Sequence, residues 1–386
     1  SKTIRVKLSS KSKSAPGRKM SETFKFSCIF FCITVFPCIA KEAYCQKEVP
    51  KYTIDLDQPA ETRWQEIALD YAAYAPFLQK LIRQLIPPAV LPLAEKVALD
   101  IDTLLEELYP GEMKGMAEAL NISLPEVILV NLYYDLTAYC TSIVAQDEQG
   151  NIFHARNLDY GNTVVFQDLS VRVNFLRNGK IAYSGITFAG YIGILTGQKP
   201  LAFTVSLDER DRGYVWENIL QLLLVKTTPV GFFLRSLLAN EDSNFEYAVQ
   251  QISKVEMIAP SYIIVGGIHG GEGAVVTRAR IKALDVWKLN VSEGRWFLVE
   301  TNYDHWETPP KSDDRRDPAI KAMNQMGQKN TGVKGLFKVM STQPVLNNST
   351  TFTCIMSAKF PSIFTAWKRK CSTLSCSTDV KFPLEQ

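Results

Sequence analysis

The chain has 386 residues, 46% hydrophobic and 22% charged, values of a globular protein that exclude wholesale disorder. Its formal charge of +3 comes from the front: residues 1–40 carry eight Lys/Arg against one acid, Glu22, and the remainder holds 35 basic and 39 acidic side chains, a net of −4. That distribution excludes the nucleic-acid partner that a pI of 8.3 suggests.

Residues 1–19 are basic and polar without an apolar period and read as an upstream or disordered segment. Met20 opens a second pattern, in which Lys25 precedes an apolar run over 26–39 and small Ala40 closes it. That is the form of a secretory signal peptide over 20–40. The run is short and Cys-rich for a membrane span, so a signal anchor is the weaker alternative. Of eight cysteines, Cys28, Cys32 and Cys38 fall in this leader, and five follow it. An odd number in an exported chain implies an unpaired thiol or a bridge to another chain. Cys371 and Cys376 are close enough to pair, and Cys45 is within reach of Cys354. Neither pairing is fixed by spacing. Cys140 is then left over.

Residues 41–139 read mostly as helix and form the first of two expected sections. Trp64, Ile67, Ala68, Tyr71, Phe77, Leu78, Leu81, Ile82 and Leu85 recur at three- and four-residue steps, interrupted near Pro76 and stopped at Pro87. Further helices are expected over 91–108 and 113–120. Ser123-Leu-Pro-Glu126 has the form of a capping box that launches another helix toward Tyr134.

From Cys140 the texture turns to strands, expected over 140–145, 152–156, 171–176, 181–188, 203–207, 262–267, 274–277 and 296–301. Asn178-Gly179 marks a tight hairpin. Helices are expected over 216–224 and 232–239. Strands and helices in separated blocks favour an α+β layered fold, with 140–386 as the second section. Sequons stand at Asn121, Asn290, Asn347 and Asn348; the last two overlap, so at most one of that pair carries a glycan.

The three histidines, His154, His269 and His305, show no metal-ligand spacing, and no CxxC is present, so neither metal nor cofactor is expected. No GxSxG or Walker loop occurs. The Gly-rich stretch 266–273 lacks the Lys-Ser/Thr of a phosphate loop and reads as a tight turn. A cysteine opening a strand is ordinarily a small buried residue. Two features of Cys140 point further. It stands at the joint between the helical and β-rich sections, and the returning strand carries Arg156 and Asp159; a cation beside a thiol favours thiolate.

Seven segments carry a resemblance. They are Lys51-Tyr-Thr-Ile-Asp-Leu-Asp57, Cys140-Thr-Ser-Ile-Val-Ala-Gln-Asp147, His154-Ala-Arg-Asn-Leu-Asp-Tyr-Gly161, Ser206-Leu-Asp-Glu-Arg-Asp211, Glu300-Thr-Asn-Tyr-Asp-His-Trp306, Asp313-Asp-Arg-Arg316 and Gln343-Pro-Val-Leu-Asn-Asn348. In this order they resemble the acid ceramidase and N-acylethanolamine-hydrolysing acid amidase family. The resemblance implies an N-terminal nucleophile hydrolase with an αββα sandwich, cut at Tyr139–Cys140 into an α/β heterodimer. It also implies roles. Cys140 is the nucleophile and, once freed, its amine is the base. Arg156 stabilises the thiolate, Asp159 bonds the new amine, and Asn302 is the oxyanion donor. Glu209 and Arg315 form supporting charge pairs, although Arg315 stands in a mixed-charge run where a plain surface pair is the bland alternative. His154 reads as a structural strand residue.

Within the family, the passage from Asp159-Tyr-Gly-Asn162 to Asp168 without an insertion resembles the acylethanolamine side. The cysteine-bearing tail over 371–376 resembles the ceramidase side. The implied reaction is hydrolysis of N-palmitoylethanolamine-like lipids at acidic pH in the lysosome, with ceramide as the alternative substrate. A lipid amide needs access to a bilayer, and the apolar faces of 64–86 and 216–238 offer a transient membrane contact if they do not simply pack the core. From another class, a non-enzymatic lipid-binding protein would keep the fold and lose the chemistry.

Overall fold

The computed structural model describes residues 44–85, 108–133, 139–161, 163–210 and 227–371, with isolated positions between 88 and 105. The expected leader, residues 1–19, most of the helix at 91–108, the helix at 216–224 and Cys376 lie outside the described residues.

Cys140 belongs to β3 (Tyr139–Gln146), which pairs antiparallel with β4 (Ile152–Asp159). Alternation along these strands decides what faces what. Ile143, Ala145 and Ala155 point away from the second sheet. There they pack with Ala319 and Met323 of α8 (Arg316–Met326) and with Val333 and Leu336 of α9 (Val333–Met340). Val144 and Ile152 point the other way, against Tyr262, Ile264 and Val275 of the second sheet. Cys140, Ser142, His154 and Arg156 share that inter-sheet face by parity.

The first sheet has the order β1-β14-β13-β4-β3-β12, where β1 is Tyr44–Glu48, β12 Phe297–Glu300, β13 Thr350–Met356 and β14 Phe364–Cys371. The second runs β11-β10-β9-β8-β7-β6-β5-β2, comprising β2 (Lys51–Asp55), β5 (Ser170–Arg177), β6 (Lys180–Phe188), β7 (Thr196–Lys199), β8 (Phe203–Glu209), β9 (Ser261–Gly266), β10 (Gly273–Arg278) and β11 (Ala283–Lys288). Pairing is antiparallel except between β2 and β5. Two helices, α6 (Val230–Ala239) and α7 (Phe245–Lys254), lie on the second sheet's outer face. The αββα sandwich is thereby built. Asn178 and Gly179 take φ of 52° and 72°, the left-handed turn that closes the β5–β6 hairpin. The Gly-rich stretch over 266–273 is the β9–β10 connection.

The front section departs from its helical reading. Its helices α1 (Gln65–Asp70), α2 (Ala75–Leu85), α3 (Leu108–Leu120) and α4 (Leu124–Tyr133) are present, and α5 (Thr163–Leu169) follows β4. Pro76 sits in the first turn of α2, where its missing N–H costs nothing. The capping box is made: Glu126 accepts from Ser123 N at 3.0 Å, and Ser123 Oγ accepts from Glu126 N at 3.4 Å. But residues 44–55 are strands that extend both sheets, so the section after Cys140 does not complete either sheet alone. The signal was the alternation in β2, where Ile54 is buried between less buried neighbours.

Of the apolar faces offered as membrane contacts, the one over 64–86 and the described part of the one over 216–238 pack into the core. Trp64, Ile67, Leu78, Leu81 and Ile82 are buried, as are Phe232, Leu234 and Leu238. Among the described residues no helix is long and apolar enough to cross a membrane. The Cys45–Cys354 pairing fails on register. Cys45 lies opposite Lys370 and Cys354 opposite Ala366, with β14 between them. Two strand spacings put their Cα atoms about 9–10 Å apart or more, beyond the reach of a disulfide, roughly 7 Å. Cys354 is a free, buried thiol.

One buried ion pair fastens the front section to the rest. Glu112 of α3 is fully buried, and Arg235 of α6 grips both its oxygens, with Nη2 donating to Oε1 at 2.8 Å and Nη1 to Oε2. Trp64 Nε1 donates to Oε2 at 2.7 Å and Arg63 Nη1 to Oε1 at 3.3 Å. Phe175, Tyr109 and Trp64 ring the Arg235 guanidinium at 4.8, 5.3 and 5.5 Å. Removing one partner leaves a buried charge uncompensated. Glu112→Ala in a Cys140→Ala chain is expected to lower stability by about 3–5 kcal/mol in urea unfolding, far more than an exposed pair such as Lys51–Glu48 would.

Candidate active site

The β3–β4 ladder sets Cys140 opposite Leu158 and Ser142 opposite Arg156, so the thiol and the guanidinium stand on one face. Arg156 is fully buried and reaches the sulfur, Nη2 to Sγ being 2.7 Å. The same Nη2 donates to Leu207 O at 3.0 Å, while Nη1 donates to Leu195 O at 2.8 Å and to Thr196 Oγ1 at 2.7 Å. Strands β7 and β8 of the opposite sheet thus hold the cation in place against the nucleophile.

The acid beside Arg156 is Asp208, 3.6 Å from Nη2 and also buried. Its Oδ1 accepts from Ser142 Oγ at 2.7 Å, and Ser142 lies 3.0 Å from Ser206 Oγ, which lies 2.9 Å from His154 Nε2. Thr204 Oγ1 is 3.1 Å from His154 Nδ1, so both ring nitrogens are engaged. Burial, with Arg156 adding, pushes His154 down to about 3, and it is a neutral structural residue as expected. Asp208 is pushed up to about 6 by burial, against the pull of Arg156. Burial likewise drives the Cys140 thiol well above its ordinary range; Arg156 opposes that and Asp208 reinforces it.

A second cluster surrounds the backbone of Cys140. Its N–H donates to Asn302 Oδ1 at 2.9 Å, and Asn302 Nδ2 donates to Glu209 O at 2.7 Å. Arg315 Nη2 donates to the same Asn302 oxygen at 2.9 Å, and its Nη1 donates to Cys140 O at 2.5 Å. Arg315 also pairs with Asp313 at 2.8 Å and approaches Asp159 at 3.7 Å. It is buried, not the surface pair of the bland alternative. Asp159 is buried too, its Oδ2 accepting from Asn347 Nδ2 at 2.8 Å.

Tyr139 and Cys140 differ sharply in exposure, 52% against 0%. The tyrosine ring lies 5.9 Å from the Arg315 guanidinium. It lines an open cavity of about 640 Å³ with Asp159, Tyr303, Asp313, Arg315 and Asn347. The bond between the two residues therefore runs from solvent into the core.

Cys140, Arg156, Asp159, Asn302, Arg315 and Tyr139 are brought together. Asn302 presents its oxygen to Cys140 N and donates one of its two amide N–H groups to Glu209 O. The backbone carbonyl of Glu209 accepts from Asn302, and the carboxylate beside Arg156 is that of the preceding residue, Asp208, which strand parity turns inward. Asn347 is no free glycan acceptor: its Nδ2 is bonded to buried Asp159. Asn121 and Asn348 are exposed, and Asn290 is half-buried. Sequence reasoning missed Asp208, Ser142, Asp313 and Asn347. The polar alternation Thr204, Ser206, Asp208 in β8 was the available signal for Asp208. Among the described residues no group of three His, Cys, Asp or Glu is placed to hold a metal.

Comparison with known proteins matches this arrangement. A family model described as linear amide C–N hydrolases, choloylglycine hydrolase family, covers residues 140–327, starting at Cys140 itself. A model of the beta subunit of N-acylethanolamine-hydrolyzing acid amidase matches 47–105, on the N-terminal side of Cys140. N-acylethanolamine-hydrolyzing acid amidase of Oryctolagus cuniculus is 46% identical over 318 residues, 81% of this chain and 87% of that protein. The chain belongs to this amidase family. Acid ceramidase of Homo sapiens is 38% identical over 333 residues, 80% of this chain and 83% of its own. A solved Caenorhabditis elegans N-acylethanolamine-hydrolyzing acid amidase ortholog superposes with a TM-score of 0.53 at 45% identity, covering 58% of this chain and 95% of that one. The chain is thus an amide hydrolase of the N-terminal nucleophile type.

A thiol held protonated by burial is a poor nucleophile toward reagents. In the uncut chain at neutral pH, Cys140 is expected to resist iodoacetamide until the protein is denatured, as peptide mass mapping would show. Rapid native labelling of Cys140 would contradict the enclosed geometry.

Proposed function

We propose that the chain is a precursor that cuts its own Tyr139–Cys140 bond, and that the cut enzyme hydrolyses N-acylethanolamines to fatty acid and ethanolamine in the lysosome, reached by the secretory pathway. The observation that carries this reading is the 2.7 Å contact between the Arg156 guanidinium and the Cys140 sulfur, at a residue whose N–H rests on Asn302 and whose predecessor is exposed. The names of the relatives supply the substrate.

In the first step the Cys140 sulfur attacks the Tyr139 carbonyl carbon, and the thiol proton passes to the leaving nitrogen. The C–N bond breaks, leaving Tyr139 as a thioester on Cys140 and a free α-amine. Water then attacks the thioester and releases the Tyr139 carboxylate. The new amine lies where the amide N–H was, against Asn302 Oδ1, with Asp159 and Arg315 beside it. It takes the thiol proton, and Arg156 balances the resulting thiolate. Attack on the substrate amide gives an acyl-enzyme, and the amine returns the proton to departing ethanolamine. Water then frees the fatty acid.

Ceramide is the competing substrate, in keeping with 38% identity to a ceramidase. The intact set of Cys140, Arg156, Asn302 and Arg315 weighs against a binding protein without chemistry.

Incubation at acidic pH should split the wild-type chain into two fragments, the larger beginning at Cys140, while Cys140→Ala stays whole on a gel. The cut enzyme should turn over N-palmitoylethanolamine faster than a short-chain ceramide; the reverse order would transfer the protein to the ceramidase reading. In the overlapping sequons, Asn348→Gln should remove one glycan. Ser349→Ala, which destroys only the Asn347 sequon, should leave the glycan count unchanged by intact mass.

A further inference from the structure

Burial makes every oxygen of a carboxylate accountable, and Asp159 uses only part of its capacity. Its Oδ2 accepts from Asn347 Nδ2 at 2.8 Å, and Arg315 Nη1 stands 3.7 Å away. The Thr350 side chain lies against the same carboxylate. Its Oδ1 is buried and has no hydrogen-bond partner. A buried acceptor left unmet is costly, so the uncut chain holds one acceptor in reserve.

The surroundings indicate what that acceptor awaits. Asp159 lies directly opposite Tyr139 in the β3–β4 ladder, one position from the nitrogen that cleavage turns into an amine. Arg315 links the two, donating to Cys140 O and to the Asn302 oxygen that holds Cys140 N. Tyr139, whose ring lies over Arg315, is the residue that the cut frees to leave.

Asn347 is itself fixed from three sides. Its Oδ1 accepts from Ser349 N at 2.8 Å, its backbone N–H donates to Thr350 Oγ1 at 3.1 Å, and Nδ2 also points at Pro344 O, 3.4 Å away. The loop is tied to the strand end by Tyr160 N, which donates to Ser349 O at 2.8 Å. A side chain so constrained presents its amide in one orientation only.

We propose that Asn347 is the positioning residue for Asp159: it claims one carboxylate oxygen and thereby leaves the other aimed at the amine that cleavage creates at Cys140. This rests on the self-cleavage reading and deepens it. The amide cut needs no such amine, whereas every later turnover does, so Asn347 matters after the cut and little before it. The assignment also accounts for the tandem sequon, since a sugar on Asn347 Nδ2 would occupy the atom that Asp159 requires.

The test compares three variants through cleavage rate, steady-state kinetics of the cut enzyme and its pH profile. Asn347→Ala should self-cleave within about threefold of wild type, yet lose about 10- to 100-fold in kcat with KM nearly unchanged. The limb of its profile that titrates the amine should move to lower pH, because an ammonium deprived of an aligned carboxylate loses its proton more readily. Asn347→Asp keeps the shape but replaces the donor with an acceptor, and should show the same loss even if the alanine variant folds poorly. Asn347→Ser, which retains a donor, should recover part of kcat. An unchanged kcat, or equal falls in cleavage rate and kcat, overturns the proposal. Absence of any cut at Tyr139–Cys140 in the wild-type chain would instead overturn the self-cleavage reading beneath it.

Discussion

A guanidinium enclosed between two sheets needs partners for its charge, and the terminal nitrogens of Arg156 set that demand for the whole site. Its terminal nitrogens meet a carbonyl of β8, the threonine hydroxyl that opens β7 and the carbonyl just before it, and what remains of its charge falls on the Cys140 sulfur and on Asp208. Those partners come from the sheet opposite, so the cation is in position only when both sheets are stacked. The nucleophile is thereby made conditional on the complete fold. An ion buried this way gains specificity of placement more than stability, since desolvation offsets much of its Coulomb attraction.

A second guanidinium, Arg315, does for the backbone what Arg156 does for the side chain. It holds Cys140 O, the Asn302 oxygen and the acids Asp313 and Asp159 in one cluster at the end of β3. Between them the two arginines bracket one residue, one on its sulfur and one on its main chain. Another buried arginine, Arg235, bonds Glu112 and not the Cys140 cluster. It ties α3 to α6 through Glu112, joining the section before the proposed cut to the section after it. Together with β1 and β2 on the two sheet edges, that pair explains how two fragments would remain one protein.

Legibility in the sequence followed the range of the interactions. The Ser123/Glu126 cap, the Asn178-Gly179 turn and the paired strands around Cys140 and Arg156 rest on contacts a few residues apart, and each is found where the pattern placed it. The two strands within 44–55 were hidden because their partners lie more than a hundred residues away. Asp208 and Glu209 are neighbours of like charge, and composition does not choose between them. The pleat does, turning Asp208 toward Arg156. Asn347 was read as part of a sequon because its true partner, Asp159, lies 188 residues earlier.

The sequence by itself determined the chemical inventory. It named a cysteine at the joint between helical and β-rich sections, an arginine sixteen residues on, and the ordered motifs that supply Asp159, Asn302 and Arg315. Those are facts of residue type and spacing, carried by local physics and by family resemblance. Tertiary structure alone decided which atom of each residue does the work. It turned the Asn302 oxygen toward Cys140 N, brought Asp208 rather than Glu209 to the cation and put Asn347 behind Asp159. Hydrogen bonds are directional to within tens of degrees, and only the stacking of the two sheets sets those directions across the interior.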